Sequence, residues 1–470
     1  MNYPSVRFFR GLTRLAVCRL SAGRLLQSAA ALISGAPAQD KPPFMPIRVD
    51  SEIGRLRRVL IHRPGREIDW MVPAMMESLL FDDILDGDEA REEHDLFCEV
   101  LRQAEVEFID AQDLLTDVLA MPEPRQRLLA ELEAEYGVPF SLVRQLDEMP
   151  HQELAAALVG GIRAPAELSD AGRLLFFQLN PVPNYFFQRD PQVVMGNRVV
   201  ISSMATDARE REPLLARSLF ENHPALAGAA KIFEIDVPPS GAPQHNPHFP
   251  YPNLEGGDVL VVSPEIVLVG LSERTNRRGI ETLAEYLRRE ETSFRHLIMV
   301  ELPRRRSYMH LDTVFTLIDR NLCLAYLPVI EPGGPESAHV YSVDLSAKEL
   351  TFTVRPSLLR ALKELGGMDL EVVACGGAKE AIDQQREQWT DGANAFAVAP
   401  GLILLYRRNH RTMEELAGRG WRILPGEEAA SGRHDLLGGG PAAISLWSNE
   451  LSRARGGPRC MTMPLERDPL

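Results

Sequence analysis

No stretch of roughly 18 consecutive apolar residues occurs in this chain of 470, so no transmembrane helix is expected. Cysteine is scarce. The five present (Cys18, Cys98, Cys323, Cys375 and Cys460) are widely spaced and form no CxxC pair. That argues against a disulfide framework or a zinc knuckle and suits a reducing, cytoplasmic compartment. Positive charge is in deficit: 51 Lys and Arg face 66 Asp and Glu, a net charge of -15. Nucleic acid and anionic membrane surfaces are therefore poor partners. The remainder, 45% hydrophobic and 25% charged, is the composition of a globular protein with room for one large domain or two to three ordinary ones.

Residues 1–44 break the acidic trend, with Arg7, Arg10, Arg14, Arg19, Arg24 and Lys41 against the single acid Asp40. A targeting segment is one reading, from the weak apolar stretch 25–33 and Ala36-Pro37-Ala38. A disordered basic arm, or a start placed upstream of Met45, fits better, because Gln27 and Ser28 interrupt that stretch. From there, 56–62 reads as a first strand closed by Arg63-Pro64-Gly65. Similar β-rich runs recur at 193–202, 259–270, 313–327 and 395–406, separated by helical patterns such as 277–289 and 357–365. The whole suggests about five strand-helix modules. Residues 113–172 depart from this rhythm: rich in Leu, Ala and Glu and punctuated by Pro122, Pro139, Pro150 and Pro165, they read as a helical insertion. The α/β body is then 45–112 with 173–470.

Chemistry-bearing residues fall in separate short motifs. Cys460 lies in Arg455-Gly456-Gly457-Pro458-Arg459-Cys460. A glycine-lined turn with two arginines should expose the sulfur and surround it with positive charge, both of which favour the thiolate. His310-Leu311-Asp312 precedes a β-rich run; if extended, it turns the imidazole and the carboxylate to one side. Such a pair is also common among solvated strand residues and metal ligands. Glu255-Gly256-Gly257-Asp258 allows a tight bend that holds a carboxylate, or it is a surface turn. Asp190 stands before Pro191, which biases it toward an extended conformation. Arg209 follows the Asp190 motif and Arg274 the Glu255 motif; both could grip a carboxylate bidentately, though each alone reads as a surface residue. Together, one thiol, one imidazole and the acids Asp190, Glu255 and Asp312 describe an acidic pocket around a nucleophile. That combination suits a planar guanidinium, held by carboxylates and attacked by sulfur.

Six ordered motifs carry a resemblance. Leu-Ile-His-Arg-Pro-Gly (60–65), FFQRDP (186–191), LEGGDV (254–259), MHLDTVF (309–315), EQWTDGAN (387–394) and GGPRCMTMPL (456–465) resemble those of the arginine deiminases, guanidino-modifying enzymes of the pentein fold. The resemblance runs from about Met45 onward. It implies a five-bladed, pseudo-symmetric α/β propeller with a helical insertion, and hydrolysis of L-arginine to L-citrulline and ammonia without metal or cofactor. It implies Cys460 as nucleophile, forming an S-alkylthiouronium; Asp190 and Asp312 on the guanidinium nitrogens; and His310 as proton donor to ammonia and then base for water. Glu255 would hold a further guanidinium nitrogen and keep His310 protonated. Arg209 and Arg274, with Asn184 beside them, would bind the substrate α-carboxylate. Phe187 would pack on the guanidinium plane, and Arg455 would cover the site from a mobile loop. A homodimer or homotetramer is implied as well. Arg459 and Asn394 receive no role, and Cys98, Cys323 and Cys375 read as small buried hydrophobes. The alternatives are a related guanidino hydrolase or an amidinotransferase of the same fold, a metallohydrolase using the His310 and carboxylate set, and a non-catalytic binding protein.

Overall fold

The computed structural model describes residues 45–165, 176–235, 251–290 and 292–470. The basic segment 1–44 and Cys18 lie outside the described residues, as does 166–172 of the expected insertion. Everything described belongs to one compact unit, Phe44–Leu470. Among the described residues no helix is long and apolar enough to cross a membrane.

The run at 56–62 is one strand, Leu56–Ile61. Each of the other four is a pair of short antiparallel strands separated by a tight turn, and each such set gains a further strand running parallel. Gln192–Met195 and Arg198–Ile201 are followed by helix Arg211–Asn222 and strand Lys231–Glu234. Val259–Ser263 and Ile266–Leu271 lead through Arg277–Arg289 to His296–Glu301, and two further strands widen that sheet. Phe315–Asp319 and Leu322–Ala325 lead through Leu358–Gly366 to Glu371–Ala374. Phe396–Ala399 and Leu402–Tyr406 begin the fourth set, in which Ala442–Leu446 inserts between Leu402–Tyr406 and Arg422–Pro425. The fifth joins distant parts of the chain: Met463–Arg467 pairs antiparallel with Leu56–Ile61, which leads through Gly87–Gln103 to Glu107–Asp110.

Local sequence accounts for the helices between these strands. Asn276 caps Arg277–Arg289 by accepting from the Gly279 amide, and the inward face carries Ile280, Leu283, Ala284 and Leu287 at helical spacing. Ser357 caps Leu358–Gly366 in the same way, and Gly367 ends it at φ 65°, a left-handed conformation that favours glycine. The Leu-rich region forms four helices: Ala111–Leu119, Pro122–Ala134, Phe140–Asp147 and His151–Gly160. Pro122 opens the second, and Pro139 and Pro150 stand just before the third and fourth. There a missing N–H costs nothing. Leu115, Leu129, Leu146 and Leu158 pack in one apolar cluster with Leu215 and Leu219 of Arg211–Asn222.

His310-Leu311-Asp312 also departs from expectation. His310 is extended, but Leu311–Thr313 is a turn of 3₁₀ helix rather than strand. Asp258 Oδ1 accepts from the Leu311 amide at 2.8 Å, and the Thr313 hydroxyl donates to the His310 carbonyl at 2.6 Å. These bonds close the turn before the strand begins at Phe315.

Candidate active site

The functional motifs occupy equivalent places. Asp190, Glu255 with Asp258, His310 with Asp312, Asn394 and Cys460 each lie within five residues before the first strand of one of the five sets. The strand entries therefore deliver them to a common centre. Close backbone approach makes this possible. A Cβ at Gly256 would stand 2.0 Å from the Arg189 carbonyl oxygen, and one at Gly257 would stand 2.6 Å from His310 Nδ1 and 2.9 Å from Asp190 Oδ1. The two glycines thus make a buried corner rather than a surface turn, and Glu255 is fully buried within it.

His310 is the hub of this corner. Its Nε2 is 2.8 Å from Glu255 Oε2, and its Nδ1 is 3.7 Å from Asp190 Oδ1. Burial alone would strip its proton, but the Asp190 charge, the Glu255 hydrogen bond and the Asp258 charge together raise its pKa to about 9. Burial also opposes ionisation of Glu255, yet the His310 hydrogen bond and the charges of Arg274, His310 and Arg209 bring it down to about 2. At neutral pH the pair is imidazolium and carboxylate.

Cys460 corrects the expectation of an exposed sulfur in a positive setting. It is buried, and its Sγ lies 3.8 Å from Asp312 Oδ2. Burial pushes the thiol well above its ordinary value, and the charges of Asp312, Asp190 and Asp391 push it further. Arg459 is not bonded to the sulfur. Its guanidinium turns inward to grip Glu52 at 3.0 and 3.1 Å and donates to Asp312 Oδ2 at 2.7 Å. Neighbours in sequence are thus not the electrostatic neighbours of the thiol.

A cavity of about 20 Å³ lies over Cys460, lined among others by Asn184, Phe187, Arg209, Arg274, Arg455 and Cys460 itself. It has room for about one water. Arg209 does not stand free in it. Nε and Nη2 donate to Glu212 at 2.9 and 2.7 Å, Nη1 donates to Asp190 Oδ2 at 2.7 Å, and Nη1 is 3.9 Å from Glu255 Oε2. Asn184 spends its amide donor on the carbonyls of Leu79 and Leu80, at 3.0 and 3.3 Å. Phe187 lies under the nucleophile's turn: a Cβ at Gly456 would meet its ring at 2.2 Å. Arg455 takes φ 65°, stacks 3.6 Å over Trp389 and donates to the Trp389 carbonyl. Asn394, left without a role by sequence, accepts from the Arg459 and Cys460 amides at 3.1 and 3.2 Å.

A family model described as arginine deiminase matches residues 77–467. The chain belongs to the arginine deiminase family. The arginine deiminase of Bacillus cytotoxicus is 34% identical over 436 residues, spanning 90% of this chain and 98% of the relative. That of Clostridium perfringens is 35% identical over 447 residues, with the same coverage. Among solved structures, SxtG, an amidinotransferase from Microseira wollei in the saxitoxin biosynthetic pathway, has a TM-score of 0.52 at 15% identity. It covers 91% of this chain and 98% of its own. That likeness shows a shared mixed α/β fold of the kind found in this family.

Buried polar atoms at the centre with no hydrogen-bond partner among the described residues include Asp190 Oδ1, Asp312 Oδ1, Asp391 Oδ2, Arg274 Nη1 and Nε and Nη2 of Arg455. Buried unpaired acceptors are costly, so they point to a ligand that carries donors. The other Asp190 oxygen, Oδ2, is already held by the Arg209 guanidinium. Asp190, Glu255 and His310 also place ligand atoms within 4.8 Å of one another, a spacing open to a metal ion. The proton on His310, however, occupies a ring nitrogen that a metal would need.

Sequence reasoning missed several supporting residues. Glu212 carried a signal, three positions after Arg209 at the start of a helix. Glu52 carried none, because its partner Arg459 is 407 positions away. Asp258 stood inside a recognised motif. It proves to be the acceptor for the Leu311 amide and, at 2.6 Å, for the Ser272 hydroxyl; burial raises its pKa to about 7.

Proposed function

We propose that this chain hydrolyses L-arginine to L-citrulline and ammonia through a covalent S-alkylthiouronium on Cys460. The observation that carries the reading is the pair of unpartnered carboxylate oxygens, Asp190 Oδ1 and Asp312 Oδ1, in the same centre as a buried thiol. A planar guanidinium supplies donors to both. Its positive charge also reverses the electrostatics that hold Cys460 protonated, so the substrate itself favours the attacking thiolate. Sulfur then adds to the guanidinium carbon. The protonated His310 gives its proton to departing ammonia, and the neutral imidazole takes one from the incoming water. Attack by that water breaks the C–S bond and releases citrulline and thiolate. Glu255 holds His310 charged for the first step and offers a further acceptor to the guanidinium.

At the other end of the substrate, Arg274 has an unpaired Nη1 for the α-carboxylate. Arg209 joins it on releasing Asp190 to the substrate guanidinium, with Asn184 beside both. The cavity is too small for arginine, so Arg455 and its turn open to admit it and close over it. Phe187 packs on the guanidinium plane. Five sets of strands, with first strands such as Phe315–Asp319 and Phe396–Ala399 in contact, support a five-bladed α/β propeller. The four helices from Ala111–Leu119 to His151–Gly160 form its helical insertion.

The test is stoichiometric ammonia and citrulline release from L-arginine, with Cys460→Ala as control. Transfer of the amidino group to an added amine, without ammonia, would instead identify an amidinotransferase. Citrulline release by Cys460→Ala at the parent rate would sink the covalent mechanism.

A further inference from the structure

Each of the five strand entries brings a residue to the centre, and four of them supply the groups assigned above. The remaining one, just before Phe396–Ala399, supplies Asn394, which is fully buried. Its Oδ1 faces two amide donors, those of Arg459 and Cys460. Its Nδ2 donates to the Asp312 carbonyl at 3.3 Å. Two facing N–H groups on one side and a carbonyl on the other fix which way the amide points. On the far side of the nucleophile, the Cys460 carbonyl accepts from the Arg189 amide at 3.0 Å, one residue before Asp190. A continuous hydrogen-bonded frame therefore runs from Asp312 through Asn394 and the Cys460 peptide to Asp190. Asn394 is the side chain that joins Asp312 to the Cys460 peptide.

We propose that Asn394 is a positioning residue that sets the separation between the Cys460 sulfur and the two carboxylates that hold the guanidinium. The inference rests on the deiminase reading. Asn394 fits this part better than its nearest relatives. Aspartate would keep both acceptor bonds but lose the donor to Asp312 and add negative charge beside a thiol already facing carboxylates. Glutamine is too long: a Cβ at Gly457 would stand 2.6 Å from Asn394 Oδ1, so the turn already lies against the amide. Alanine leaves two buried amides and one carbonyl unpaired and lets the nucleophile's turn drift.

The experiment is steady-state citrulline release from L-arginine by the parent, Asn394→Ala and Asn394→Asp enzymes, each normalised to its folded fraction. Misplacing a nucleophile by about 1 Å costs on the order of 100-fold in rate, so kcat of Asn394→Ala should fall by about that factor. Its KM should stay within about threefold, because the carboxylates and Arg274 remain. If Asn394→Ala does not fold, Asn394→Asp keeps the shape and both acceptor bonds, and its kcat should fall about tenfold. A kcat within twofold of the parent in the folded variant, or a loss carried by KM alone, would overturn the inference. A parent enzyme that releases no citrulline would remove the deiminase reading and this inference with it.

Discussion

Cys460 and Cys375 are both buried, both sit near carboxylates, and burial raises both thiols. Their surroundings differ in one respect. The carboxylate that acts most on Cys375 is Glu387, whose oxygens accept from the amides of Arg411 and Thr412 and from the Thr412 hydroxyl, at 2.7–2.9 Å; Asp391, shared with Cys460, acts less. Gly392 packs so close that an added Cβ would stand 2.9 Å from the Cys375 sulfur. The two acids that face Cys460 and not Cys375, Asp312 and Asp190, are unfinished, each with one oxygen lacking a hydrogen-bond partner among the described residues. Burial and a raised thiol therefore do not distinguish the two cysteines. The unspent acceptors of Asp312 and Asp190 do.

The sharpest way to break this contrast is a matched pair of substitutions. Cys460→Ser should lower kcat by more than about 1,000-fold, because a serine hydroxyl is far less acidic and has no base beside it. Cys375→Ser should leave kcat within about twofold while costing about 1–3 kcal/mol of stability for a buried hydroxyl, read from urea unfolding. A Cys375→Ser enzyme with strongly reduced kcat would show that the finished site also matters to the chemistry.

The next contrast is between the two arginines. Arg274→Gln removes a charge-assisted bond of about 1.5–3 kcal/mol, so KM for L-arginine should rise about 10- to 100-fold. Agmatine lacks the carboxylate, and its turnover should hardly change. Equal losses on both substrates would remove Arg274 from the carboxylate end.

The smallest expected effect concerns pH. His310 must carry a proton to expel ammonia, and its pKa is raised to about 9. Activity should therefore fall as pH rises through that value. Glu255 is one of the groups that hold the proton on, so in Glu255→Gln the alkaline limb should move to lower pH. A kcat–pH profile of both enzymes checks this, and a limb that stays in place would assign it to another group.

The contrast also explains what was legible in the sequence. Asp190, Glu255, His310, Asp312 and Cys460 stand in short contiguous motifs, and the structure brings all five together. The helix Arg277–Arg289 was legible from its spacing. The charge around the sulfur was not. Arg459 is adjacent to Cys460 in sequence but is held by Glu52, which no local pattern could reveal. The bend at Leu311 was hidden for the same reason: its cause is Asp258, 53 positions earlier. The state of Arg209 depends on Asp190 and Glu212 together, so motif position alone could not show that its donors are already engaged.

The pairing of Met463–Arg467 with Leu56–Ile61 has a consequence for when the protein can work. Arg58 meets Glu466 across 408 positions of chain. The nucleophile's turn immediately precedes that closing strand, so chain closure and completion of the active centre are one event. A polypeptide still being made, or one cleaved between these strands, holds its carboxylates and its histidine with no sulfur to use them. Synthesis itself thus acts as a safety catch: arginine meets a competent site only after the late strand has found the early one. Such long-range pairing is also the slow part of folding.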